Sequence, residues 1–282
     1  MNHHGAEDPR IIQLCHAYAR IGFACYVPDI PSIRGFQFDL AAQRAALASA
    51  CEWVKQSRAA RFSLFGASFS AAHCLRVANM PGLRDAIKAM WILGPYYDCE
   101  QVQLDLIHGV ATDDYAFYII AYNLCRANFD WQHPLMRTLH HGIIEAHRSD
   151  VLIETQALLE ALDDDTEREF LRGIIARDFD AERFIQRHQA AIDALTHASD
   201  YREHLASIQA AVAILHSASD NIILPSHSLR LDAQLQALGI KARCLVSPLL
   251  DHADLSLGWQ TLIDAGRLVK LMTFFLQHAM AP

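Results

Sequence analysis

No uninterrupted apolar run in this 282-residue chain approaches the roughly 18–20 residues that a bilayer-spanning helix needs, so no membrane span is expected. Basic residues are in the minority, with 24 Lys and Arg against 32 Asp and Glu and a net charge of −8, so the electrostatic footprint of a nucleic-acid binder is missing. Seven cysteines, an odd number without a CxxC pair, do not make a disulfide framework and read as free thiols of a reducing, cytoplasmic compartment. The opening Met1-Asn2-His3-His4-Gly5 has no basic start followed by an apolar stretch, so no export signal is expected. Glycine (12) and proline (9) are too few for a collagen-like or low-complexity chain, and no heptad or internal repeat is visible. With 52% hydrophobic and 20% charged residues the composition is that of a globular protein, and the length suits one large domain or one domain with a sizeable insertion.

The negative charge is concentrated. Positions 150–200 hold thirteen acidic and five basic residues, which is the whole net charge. Such a shift marks a separate unit with a solvated helical face, the alternative being a docking surface for a basic partner. Around it two kinds of pattern alternate. Asp8-Pro9 is a helix start, Ile11, Cys15, Tyr18 and Ala19 share one helical face, and Gly22 ends the element. The continuous apolar run Phe23 to Val27, closed by Pro28-Asp29, predicts a buried parallel strand. A helix follows from Asp39 to about Ser57 with Leu40, Leu47, Cys51 and Val54 inward. Next come a strand at Arg61 to Phe65, a break at Gly66-Ala-Ser68-Phe-Ser70, a helical stretch Ala71 to Ala78 and a strand at Ala89 to Leu93. From about Asp98 to Ser207 the periodicity is helical. Strand-type runs return at 211–215 and 242–246, separated by a helix over 226–238 that stops at Gly239, and a last amphipathic helix covers 259–278. Strands alternating with helices predict an α/β fold, a mostly parallel sheet with helices on both faces, in which the helical block interrupts the sheet between two strands.

The chemistry points to Ser68. A serine hydroxyl is a weak nucleophile; a sharp strand-to-helix turn exposes its oxygen and sets it at a helix N-terminus, where free N–H groups stabilise a developing oxyanion. Such a turn demands small residues two positions before and after, here Gly66 and Ser70. Asp220 lies just past the strand ending at Leu215, and His252 follows the next strand in Pro248-Leu-Leu-Asp251-His252. The chain order Ser68, Asp220, His252 is that of a hydrolytic triad with nucleophile, orienting acid and base. Asp98, beyond the strand at 89–93, is the rival for the acid, with Asp220 preferred for its Asp-x-x-x-x-Pro-helix context.

With these residues in place the sequence resembles the α/β-hydrolase family over positions 3–97 and 207–280. His4-Gly5-Ala6 before a helix looks like that family's oxyanion loop and Tyr26-Val-Pro-Asp29 like the strand after it. The resemblance implies a backbone N–H of Phe69 as one oxyanion donor and that of Ala6, or Gly5, as the other. It divides the chain into a hydrolase core (1–98 and 207–282) and a helical cap (99–206), and implies no cofactor. Ser70 stands where the family has a second glycine. In the family the His-Gly loop follows a strand that lies between those matching 23–27 and 61–65, and two more strands normally precede it. This sequence begins three residues before His4, so those strands are expected to be absent from it.

Other residues invite other readings. His141 and Glu145 stand at i, i+4 in His140-His141…Glu145, but no further ligand joins them at recognisable spacing and H-E-x-x-H is absent, so no metal is expected. His73 reads as a packed or exposed histidine rather than a catalytic one. Cys25, Cys51, Cys74 and Cys244 read as buried small hydrophobes. Phe117, Tyr118, Tyr122, Phe129, Trp131 and Met136 either line an apolar acyl pocket or form ordinary core. The expected activity is serine hydrolysis of a small-molecule carboxylic ester or thioester through an acyl-enzyme. The alternatives are a C–C bond hydrolase or peptidase using the same triad, and a non-catalytic binding protein on a hydrolase-like fold.

Overall fold

The computed structural model of the chain describes residues 3–148, 151–250 and 259–281. A four-stranded, wholly parallel sheet runs β1 (Phe62–Ala67), β2 (Ile87–Leu93), β3 (Ala211–Ser217) and β4 (Ala242–Ser247), each pairing with the next in chain order. The strands take turns facing two layers, as the period of two requires. Met90, Ile92, Val212 and Ile214 join Leu64 in the larger cluster, which also holds Cys51 of α3 (Leu40–Ser57), Leu75 of α4 (Ser70–Val77) and Leu231 of α11 (Ser226–Ala237). Ala89, Trp91, Ala213 and Leu215 face the other way, onto Leu271, Phe274 and Phe275 of α12 (Trp259–Ala279). Alanine on the strands lets that helix approach, and Trp91 and Phe275 fill the space edge to face at 5.6 Å. The fold is therefore α/β, a parallel sheet with helices on both faces.

Among the described residues six α-helices lie between β2 and β3, α5 (Cys99–Ile107), α6 (Asp114–Cys125), α7 (Pro134–Ala146), α8 (Ile153–Glu160), α9 (Asp165–Ala176) and α10 (Ala181–Ser199). Four of these helices start on an aspartate cap. Asp98, Asp113, Asp164 and Asp180 accept first-turn N–H groups of α5, α6, α9 and α10, as Asp8 and Asp39 do for α1 (Pro9–Arg20) and α3. Each such cap stabilises its helix by about 0.5–2 kcal/mol. Phe117, Tyr118, Tyr122 and Met136 are buried in the larger cluster and Phe129 packs against it, so these five are core residues, whereas Trp131 is 62% exposed. The C-terminal end of α10 is tied to the sheet helices: Arg44 donates to Ala198 O (2.8 Å), Arg76 to Asp200 O, and Tyr96 Oη to Ser199 O (2.9 Å).

One predicted element is overturned. Phe23–Val27 forms no strand and pairs with none among the described residues, and Ala24 to Val27 are exposed. A buried strand needs a hydrogen-bonded neighbour along each edge. Among the described residues β1 pairs only with β2, and nothing pairs with 23–27. Tyr26 instead rests edge-on against Trp53 of α3 at 5.4 Å. The expected burial of Cys25 falls with the strand: this thiol is exposed, while Cys51 and Cys74 are buried and Cys244 half-buried, all seven cysteines being free. The short helix α2 (Pro31–Arg34) follows. No described helix is long and apolar enough to cross a membrane.

The thiols give a direct check. Iodoacetamide under native conditions should alkylate Cys25 readily and leave Cys74, Cys99 and Cys125 untouched until denaturant is added, as peptide mass spectrometry would read. Protection of Cys25 would mean that 23–27 is paired after all.

Candidate active site

The turn between β1 and α4 is built by three small residues. Gly66 has no room for a side chain: a Cβ there would lie 2.7 Å from Cys74 Sγ and 3.0 Å from Ala71 Cα. Ser68 occupies the left-handed region at φ 53°, a conformation that costs an L-residue on the order of 1–2 kcal/mol and must be held by its surroundings. It is held by its N–H, which donates to Leu93 O on β2 (2.7 Å), and by its carbonyl, which accepts from Ala71 N (3.0 Å). Ser70 closes the turn with its own hydroxyl, donating to Ala67 O (2.6 Å) and accepting from Ala67 N (3.0 Å). Ser70 thus supplies bonds that a glycine at this position could not.

Phe69 opens α4, its ring stacked on Phe38 at 4.9 Å and 5.1 Å from Tyr96. Among the described residues its N–H has no hydrogen-bond partner, and neither has that of Ala6. Gly5, at φ 56°, packs so tightly that a Cβ would meet Asp29 Oδ1 at 2.6 Å and Arg34 Cδ at 2.8 Å. The Asp29–Arg34 ion pair (3.1 Å) thereby backs the His4-Gly5-Ala6 loop, and His3 meets Arg148 at 3.1 Å beside α7.

Asp220 stands two strands away. Register pairs Ala67 with Leu93 and Leu93 with Leu215, so Ser68 and Asp220 leave the same sheet edge, on strands about 10 Å apart. Leu93-Gly94 lies between them. Leu93 O takes the Ser68 N–H, Gly94 N donates to Leu215 O, and a Cβ on Gly94 would sit 3.4 Å from Asp220 Oδ2. Asp220 Oδ1 accepts the N–H groups of Ile222 and Ile223, both at 2.9 Å. Burial pushes this carboxyl upward, but the hydrogen bond from His216 and those two N–H groups outweigh it and hold the acid below its ordinary range. Asp98 is otherwise engaged, capping α5 and pairing with Arg202 (3.2 Å) and Arg230 (3.7 Å). His252, with Asp251 and Asp254, lies outside the described residues.

Two other histidines singled out by the sequence, His73 and His141, have structural duties. His73 is buried and bonded to Gln43 Oε1 at 2.9 Å; burial, with Arg44 and Arg76 nearby, lowers it to about 4. His141 meets Glu154 at 3.0 Å, while Glu145 accepts from Glu154 N and from Thr155 N and Oγ1, joining α7 to α8. His216, Ser228 and Gly94 were not legible as site residues. The one signal for His216 is a polar side chain closing the apolar run Ala211 to Leu215.

No protein-family model matches the chain, and neither does any curated protein sequence. Solved structures similar to it include an esterase (13% identical, 82% of this chain and 66% of that one, TM-score 0.42). Others are homoserine O-acetyltransferase from Bacillus anthracis (13%, 84% and 66%, 0.42) and a hydrolase from Oleispira antarctica (14%, 92% and 76%, 0.38). The chain spans about 66% of the length of the first of these structures. The sheet order and the turn at Ser68, rather than these likenesses, carry the functional reading.

Two measurements bear on this geometry. Gly66→Ala should destabilise the fold by about 1–3 kcal/mol, seen as a lowered urea midpoint, because backbone at Ala71 stands in the way of the added carbon. For His73 the folded-state pKa lies below the unfolded value near 6.5, so the unfolded chain binds the extra proton. Its contribution to stability is complete above about pH 6.5 and is lost as pH falls towards 4, by at most about 1.4 kcal/mol per unit. The difference in unfolding free energy between wild type and His73→Gln should therefore vary with pH across that window and be constant above it.

Proposed function

We propose that this chain is a serine hydrolase that cleaves a carboxylic ester or thioester through an acyl-enzyme. The observation that carries the reading is the left-handed Ser68 between a parallel strand and a helix, with its hydroxyl, among the described residues, committed to no other partner. Ser68 Oγ attacks the carbonyl carbon while His252 accepts its proton, and the imidazolium returns that proton to the departing alcohol or thiol. Water then cleaves the acyl-enzyme by the same route. Asp220 sets the tautomer of His252 and stabilises its charged form. The N–H groups of Phe69 and of Ala6, or Gly5, receive the oxyanion, an interaction worth about 3–4 kcal/mol for one donor. The helices of 99–206 serve as the cap. No cofactor or metal enters the scheme.

A fluorophosphonate probe should label the folded protein at one residue, Ser68, and p-nitrophenyl ester turnover should vanish in Ser68→Ala. Asp220→Asn should keep the fold and lower kcat by about 10³–10⁴. A folded protein that takes no label at Ser68 refutes the hydrolase reading. It leaves the non-catalytic binding protein, which the exposed segment 23–27 favours.

A further inference from the structure

His216 is completely buried at the end of β3, where a lone imidazole would be costly unless both of its nitrogens were matched. Both are. Nε2 lies 2.7 Å from Ile223 O and 3.2 Å from Asp220 Oδ2, and Nδ1 lies 2.5 Å from Ser228 Oγ on α11. A carbonyl oxygen can only accept, so Nε2 carries a proton and shares it between Ile223 O and the Asp220 carboxylate. The three partners belong to the loop that presents Asp220 and to the helix that follows it. That loop is fixed on its other side too, since Thr112 N donates to Asn221 O (3.0 Å). Ile222 and Ile223 hold Oδ1, His216 Nε2 stands against Oδ2, and Gly94 leaves room beside that oxygen, so the carboxylate is fixed from two sides.

From this we infer that His216 is a positioning residue for the acid of the site: through Ile223 O, Ser228 Oγ and the contact of its Nε2 with Oδ2 it fixes the loop that carries Asp220 and the direction in which the carboxylate stands. His216 does not touch substrate. The inference rests on the hydrolase reading above and assigns to the acid loop a support that lies wholly within the protein.

The test is a double-mutant cycle on the full chain, read by p-nitrophenyl ester kinetics and by the rate of fluorophosphonate labelling at Ser68. His216→Leu should lower kcat by about 10- to 100-fold, the usual scale for an outer-shell partner, with KM nearly unchanged. His216→Gln, whose Nε2 also donates, should recover most of the loss. In an Asp220→Asn background His216→Leu should cost almost nothing more, because His216 acts through that carboxylate. A merely structural histidine would lose activity equally in both backgrounds and would shift the fraction folded rather than kcat. If His216→Leu does not fold, Ser228→Ala, which removes the Nδ1 partner, takes its place in the same cycle. Wild type that labels at Ser68 and dies in Asp220→Asn, yet is unaffected or additively affected at His216, overturns this inference alone. Wild type that folds and does not label overturns the hydrolase reading beneath it.

Discussion

The molecule turns on a single hydrogen bond, from Ser68 N to Leu93 O. A non-glycine residue in the left-handed region does not stay there unless its neighbours leave no alternative. Leu93 fixes the amide of Ser68 from β2, Ala71 fixes its carbonyl from α4, and Ser70 ties Ala67 on both its polar atoms. Gly66 allows α4 to pass within reach, with Cys74 and Ala71 occupying the volume its side chain would take. Strain of this kind is an investment in exposure: it turns the hydroxyl out of the strand and leaves the Phe69 N–H without a partner among the described residues.

The same rim shows how buried polar groups are reconciled with an apolar interior. Leu93-Gly94 serves two sides at once, Ser68 through a carbonyl and Asp220 through a missing side chain. His216 satisfies the loop that Asp220 stands on, and Asp98, one strand over, is spent on a helix cap and two arginines. Two aspartates follow two adjacent strands, and their hydrogen-bond partners separate them. Asp98 is neutralised by guanidinium groups, which would compete with an imidazole for its oxygens. Asp220 has no cation of that kind within salt-bridge range among the described residues, and the N–H groups of Ile222 and Ile223 hold its Oδ1.

The order of strands and helices and the sharp turn at Ser68 could be read from the sequence because they rest on local rules. Hydrophobic period, Pro and Gly at element ends, and small residues around a tight turn are all visible in neighbouring letters. Phe23–Val27 could not be read in this way. Its composition is that of a buried strand, but burial of a strand is decided by a neighbour distant in sequence, and the local run is silent about whether one is present. Cys25 failed for the same reason. His216 was illegible for the opposite one: its role is set by Ile223 O and Ser228 Oγ, partners that only the folded loop brings to it.

The open flank of β1 does not undermine the site. In a parallel sheet the polar groups of successive residues point alternately to the two neighbouring strands. Phe62 and Ser68 send their N–H groups towards β2, to Ala86 O and Leu93 O, so the residues that shape the turn are bonded inward. Ala67, which points the other way, has both polar atoms taken by Ser70. The side chain left over is Phe65, 41% exposed opposite the α4 face and in register with Trp91. Whatever lies along that edge would change the solvation of Phe65 and the environment of Tyr26 and Val27. It would find the backbone of Ala67 and Ser68 already satisfied, so the geometry at Ser68 is set from the β2 side and from within the turn itself.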